Sequence, residues 1–140
     1  VTSHDGLDVL CDGPEDGILL VAHGQLCAEA LAAVDQLDSP VRVVSPRWSL
    51  PVCGGLIEEA ARARAVVSVE DGLVVSGLGS HLADALSQRG MWRPIRSLGI
   101  PQRYLDHDSR SAIMAELGLD SRGIADAVSQ LVAQLDGEYS

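Results

Sequence analysis

Four short runs of branched aliphatic residues punctuate the chain: Ile18 to Ala22, Val41 to Val44, Ala65 to Val69 and Pro94 to Leu98. Each is too short for a buried helix and nearly continuous in apolar character, which suits a strand covered on both faces, as in a parallel sheet. Between them the apolar spacing becomes helical. Leu26, Ala30, Ala33, Val34 and Leu37 form one stripe, Leu56, Ile57, Ala60 and Ala61 a shorter one, and Leu78, Leu82, Ala85 and Leu86 a third. Strand and helix therefore alternate from Ile18 to Leu98. Right-handed crossovers of this length predict an α/β fold, a three-layer, doubly wound, mostly parallel sheet.

After the fourth run, Gly99-Ile100-Pro101 breaks the pattern and a polar loop runs to Asp108. Ser109 is placed to cap a helix ending at Leu117, with Gly118 in its C-terminal left-handed position. Asp120 is placed to cap a last helix, in which Ile124, Val128, Leu131, Val132 and Leu135 recur at helical spacing and face the sheet. At the other end, five acids between Asp5 and Asp16, interspersed with Gly6, Gly13, Pro14 and Gly17, predict a solvated acidic linker or tail over residues 1–16. The α/β domain is expected over 17–136, with a tail at 137–140. The start at Val1 and the acidic lead-in together suggest a segment of a longer polypeptide.

Charge and composition then narrow the function. A net charge of −10 repels nucleic acid and anionic membrane surfaces, so neither is an expected partner. The chain has no lysine, asparagine or phenylalanine, which excludes a P-loop lysine, a Schiff-base lysine and N-glycosylation. Cys11, Cys27 and Cys53 are odd in number and widely spaced, as expected for reduced thiols in a cytoplasmic protein. No apolar run reaches the roughly 20 residues that a membrane helix needs.

Chemistry has few candidates. Gly77-x-Gly79 opens a helix after a strand, as phosphate-binding turns do, but the third glycine position is Leu82 and Glu70-Asp71 just ahead would repel phosphate. A tight turn with close helix-strand packing is the structural alternative. Glu70 and Asp71 stand at the ligand-bearing end of a parallel strand, yet neighbours on a strand point to opposite faces and do not share a proton. Ser80-His81 and Asp106-His107-Asp108 place imidazoles beside a hydroxyl or carboxylates without a nucleophile elbow. His23 follows the first strand. The four histidines lack close metal-ligand spacing. Arg47, between Pro46 and Pro51, suits a carboxylate or phosphate ligand, or an ion pair with an acid of this domain or of a neighbour.

Several phrases occur in a familiar order. Val21-Ala22-His23-Gly24, Val44 to Pro51, Val67 to Gly72, Gly77-Leu78-Gly79-Ser80, Leu98 to His107 and Ala115 to Leu119 together resemble the C-terminal domain of transketolase-like thiamine diphosphate enzymes, of the 1-deoxy-D-xylulose-5-phosphate synthase kind. The resemblance covers about residues 17–135. It implies condensation of pyruvate with glyceraldehyde 3-phosphate, thiamine diphosphate and Mg²⁺ as cofactors of the full-length enzyme, the remaining synthase domains and a homodimer partner, and a role in isoprenoid and thiamine biosynthesis. In this family the diphosphate and metal are held by a Gly-Asp-Gly motif and an asparagine in another domain, and this chain has neither. The chain alone is thus expected to be inactive, with no catalytic, cofactor or metal residue of its own. Arg47, Glu70, Asp71, Gly77, Gly79 and His107 remain as motif or interface positions. The alternative is a free-standing α/β module that binds a ligand or protein.

Overall fold

A computed structural model describes residues 2–4, 6–14, 16–22, 26–37, 41–46, 52–70, 78–99 and 121–138. In chain order the elements are β1 (Thr2–His4), β2 (Leu7–Cys11), β3 (Ile18–Ala22), α1 (Leu26–Val34), β4 (Arg42–Pro46), α2 (Gly54–Arg62), β5 (Ala65–Glu70), α3 (Leu78–Gln88), β6 (Ile95–Gly99) and α4 (Ser121–Glu138). The four aliphatic runs are all strands. They pair in parallel in the order β4-β3-β5-β6, within a six-stranded sheet ordered β1-β2-β4-β3-β5-β6.

Alternation along β3 shows how the sheet supplies two cores. Ile18, Leu20 and Ala22 face α1 and α4, joined by Val43, Val67, Ala30, Ile124 and Val128. Leu19 and Val21 face α2 and α3, joined by Val44, Val66, Leu56, Leu82 and Leu86. A strand buried on both sides turns apolar residues to both cores, so its pattern reads as a nearly continuous apolar run. Each large side chain so buried contributes about 1.5–3 kcal/mol.

The acidic lead-in departs from expectation. Residues 1–16 were expected as a solvated linker, but the segment carries β1 and β2, an antiparallel hairpin paired to β4. Leu7 is fully buried and Val9 nearly so, both in the α2/α3 core. The described acids misled because Asp8 alternates with the buried Leu7 and Val9 along β2, and Asp12 and Asp16 are exposed after it. A bulge between Val9 and Cys11 interrupts the β2 register, since both lie opposite the consecutive residues Val44 and Val43. Past the bulge, Leu10 and Cys11 both pack on the α1/α4 core.

The ends of α4 and β6 are tied down by side chains. The first amide of α4, at Ser121, donates to Glu29 Oε2 of α1 at 2.9 Å, and Gln36 Nε2 donates to Ser121 Oγ at 3.0 Å. Glu29 thus satisfies an otherwise orphaned helix N–H. The expected cap Asp120 and the expected helix from Ser109 to Leu117 lie outside the described residues. Arg96 Nη2 donates to Gln134 Oε1 at 3.2 Å, joining β6 to α4.

Candidate functional site

The carboxyl ends of the parallel strands define one edge. From β3 the chain crosses by α1 to β4 on one side, returns by α2 to β5 on the other side, and continues by α3 to β6. The strand order therefore switches between β3 and β5, where Ala22 lies opposite Val69, and such a switch point is where open α/β sheets take ligands. Glu70 ends β5 at this edge, with its backbone opposite Gly99 of β6. Arg47, Asp71, Gly77 and His107, together with His23, lie outside the described residues. Of the motif positions, Gly79 is the one whose surroundings are visible. Ser80 and His81 are exposed and consecutive on α3, a spacing that does not turn two side chains toward each other.

Gly79 is buried in the first turn of α3, directly over β6. A β-carbon there would lie 2.0 Å from Ser97 Oγ and 3.2 Å from Ser97 Cβ. The side chain of Ser97 sits where any other residue at 79 would put its own. Ser97 in turn lies opposite Ser68 of β5, which is 1% exposed. Two hydroxyl-bearing residues thus sit side by side under the start of α3, near the carboxyl edge, in a mostly aliphatic core. Helix-strand approach explains the glycine without a phosphate.

A second polar constellation went unnoticed in the sequence. Arg42, at the start of β4, donates through Nε to Glu59 Oε2 at 2.7 Å and through Nη2 to Glu59 Oε1 at 3.0 Å. Its Nη1 donates to Asp12 Oδ1 at 2.5 Å. Arg62 Nη2 adds a longer contact to Glu59 Oε1 at 3.4 Å. Glu59 is 2% exposed on the inner face of α2, so the fork of Arg42 supplies the hydrogen bonds that a buried carboxylate requires. The Glu59 hydrogen bond raises the Arg42 pKa above its ordinary value, against the opposing effect of burial, and the charges of Glu59 and Asp12 add to the rise. Gly13 makes the approach possible, because a β-carbon there would lie 2.8 Å from both Arg42 N and the Val41 carbonyl carbon. The signal was available in α2: Glu59 stands three residues after Leu56 and beside Ala60, on the face that the stripe assigns to the core. This network locks the β2–β3 loop, β4 and α2 together. It is architecture, with no open face for a substrate described.

Among the described residues, no group of three or more His, Cys, Asp or Glu could hold a metal ion. All three cysteines are free thiols. Cys27 Sγ lies 3.4 Å from Ser45 Oγ, a contact between α1 and β4.

The sequence profile of the transketolase C-terminal domain matches residues 8–124. Among curated relatives, 1-deoxy-D-xylulose-5-phosphate synthase 2 of Streptomyces avermitilis is 43% identical over 139 residues, covering 96% of this chain and 22% of the relative. The synthase 2 of Streptomyces coelicolor is 44% identical over 140 residues, with the same 96% and 22% coverage. The chain thus spans 22% of the length of these curated relatives. Among solved structures, a split-gene transketolase described as an inactive β4 tetramer superimposes with a TM-score of 0.76 at 29% identity, covering 93% of this chain and 43% of that one. A Pichia stipitis transketolase complexed with sedoheptulose-7-phosphate shares the fold, with a TM-score of 0.65 at 16% identity over 95% of this chain and 19% of its own.

Proposed function

Because the chain belongs to the transketolase C-terminal domain family, we propose that it is the C-terminal α/β module of a 1-deoxy-D-xylulose-5-phosphate synthase, serving dimer assembly and interdomain packing and not catalytic alone. One observation carries this reading: 96% of the chain aligns at 43% identity with a synthase of which it matches only 22%. The proposed reaction of the whole enzyme condenses pyruvate with glyceraldehyde 3-phosphate and releases carbon dioxide, feeding isoprenoid and thiamine biosynthesis. Thiamine diphosphate with Mg²⁺ supplies the carbanion chemistry when bound.

The described residues do not fit that cofactor. They offer no cluster of metal-binding donors, and their buried carboxylate, Glu59, is occupied by Arg42. No catalytic step is assigned to them. The split-gene neighbour supports the division of labour, since a transketolase piece that includes this fold is described as inactive in its own assembly. A cytoplasmic location belongs to the same proposal; no described helix is long and apolar enough to cross a membrane.

Replacing the matching segment of the Streptomyces avermitilis synthase with this chain tests the proposal. The chimera should stay dimeric and release carbon dioxide from pyruvate when glyceraldehyde 3-phosphate is supplied. A folded chimera that is monomeric and inactive would sink the idea. The chain alone, titrated with thiamine diphosphate and Mg²⁺, should show no saturable heat, and a dissociation constant near about 1 μM would contradict the assignment of the cofactor to other domains.

A further inference from the structure

The edge opposite Glu70 and Gly79 carries a different kind of surface. At the amino ends of β3, β5 and β6 a cleft of about 420 Å³ opens between Asp16, Arg62, Arg64, Trp92, Arg93 and Pro94. That volume is within the range of small-molecule sites. Three guanidinium groups and the carboxylate of Asp16 line it, in a chain whose net charge is −10, with Asp136 and Glu59 paired to Arg64 and Arg62 beside it. The overall negative field is screened beyond about 8 Å at physiological ionic strength, so a ligand inside the cleft responds to the local cations.

The cations are held in different ways. Arg93 gives Nε to the carbonyl of Ala63 at 3.0 Å, Nη2 to that of Ala61 at 2.7 Å and Nη1 to that of Trp92 at 2.8 Å. These partners are uncharged, so the guanidinium is fixed in place with its charge undiminished. The main chain beside it is held too, since the Val66 amide donates to the Pro94 carbonyl at 2.9 Å. Arg64 donates Nη2 to Asp136 Oδ1 at 2.7 Å, an ion pair with both side chains partly exposed. A guanidinium has five N–H groups, so one such bond leaves Arg64 further donors. Arg62 makes the longest of the described contacts on Glu59, whose two oxygens already take shorter bonds from Arg42.

Trp92 completes the arrangement. Its indole is 76% exposed, far more than the other exposed large apolar side chain among the described residues, Leu31 at 37%. The anchored Arg93 beside it holds the backbone, so the exposed indole is presented beside the cations. Indole faces stack on planar rings, and guanidinium forks match phosphate oxygens.

We infer that this cleft binds a nucleoside diphosphate. The base stacks on Trp92, the phosphates take Arg62 and Arg64 with Arg93 as a fixed charge behind them, and Asp16 accepts from sugar hydroxyls. The site is on the far edge from Glu70 and Gly79, so its failure would leave the synthase assignment standing.

Titration calorimetry of the full chain with ADP, adenosine and inorganic pyrophosphate is the test, repeated on Trp92→Ala and Arg64→Gln, whose side chains, exposed and partly exposed, lie outside both cores. ADP should saturate with a dissociation constant below about 1 mM, and adenosine and pyrophosphate should each bind at least about tenfold more weakly. Each substitution should weaken ADP at least about fivefold, with the Arg64 change also reducing the dependence on salt. In the unsubstituted chain, the Trp92 indole N–H resonance should move with ADP and not with pyrophosphate. Absence of saturation by ADP, unchanged affinity in both variants, or pyrophosphate binding as tightly as ADP would each overturn the inference.

Discussion

Arg42 and Glu59 meet through two parallel hydrogen bonds of 2.7 and 3.0 Å across the join between β4 and α2, on a carboxylate that is 2% exposed. Removing one partner strands a buried charge, whereas removing both need not. Arg42→Met should cost about 3–5 kcal/mol in urea unfolding, and adding Glu59→Leu should recover most of the loss. Arg62, at 3.4 Å, is too distant to replace the fork. An unchanged midpoint in the single variant would show that the pair contributes nothing.

The same pair sets a pH expectation. Arg42 has its folded pKa raised, first by the Glu59 hydrogen bond. A basic group raised on folding contributes stability that is complete below its unfolded pKa and is lost only as pH rises through the folded value. That loss falls in strongly alkaline solution, so melts between about pH 6 and pH 9 should show no titration attributable to Arg42. Subtracting the melting profile of the Arg42→Met/Glu59→Leu double variant, which strands no buried charge, from the parent profile isolates the pair, and the difference should be flat.

Gly13 packs on main chain that has no rotamer to change. Gly13→Ala would place a methyl group 2.8 Å from Arg42 N and 2.9 Å from the Val41 carbonyl oxygen. Overpacking of this kind costs about 1–3 kcal/mol and should lower the melting temperature by roughly 3–12 °C. Calorimetric melting of the variant against the parent measures it.

Gly79 differs, because its obstacle is a side chain. Gly79→Ala should destabilise by about 1–3 kcal/mol through collision with Ser97, less up to about 1 kcal/mol of gained helix propensity. Ser97→Ala removes the oxygen at 2.0 Å and leaves the milder 3.2 Å contact. A double-mutant cycle should therefore show a favourable coupling of about 0.5–3 kcal/mol. Strict additivity would mean that the two positions do not meet.

Leu7 tests the status of the amino-terminal segment. In a linker its truncation would be neutral, but its side chain is fully buried against the α2/α3 core. Leu7→Ala should cost about 2–5 kcal/mol in denaturant unfolding.

Much of the architecture was legible because parallel strands buried on both faces leave a nearly continuous apolar run. Leu19 and Leu20 point to opposite cores and both must be apolar. The hairpin hid for the converse reason, since Leu7 and Val9 alternate with an aspartate in a stretch dominated by acids. Its signal was Asp5-Gly6, a turn pair flanked by short alternating segments; Gly6 has a φ of 79°, and His4 pairs with Leu7 across the turn. Gly79 could be read as a close-packing position, but Ser97 could not be named, because the contact joins residues that only the crossover brings together. Arg42 and Glu59 were likewise invisible as a pair, although Glu59 on an apolar helix face was a visible anomaly.

The bulge in β2 makes length the constrained property of that strand. Were the same residues paired without the bulge, side chains would alternate strictly, and everything after Leu10 would be turned over relative to the sheet. Leu10 would become the partner of Val43 in place of Cys11, and Asp12 and Gly13 would each arrive one position late at Arg42 and Val41. Losing Leu10 would therefore only straighten the strand and leave Cys11 opposite Val43, whereas one further residue after Cys11 would break the ion pair and the close backbone contact in one step.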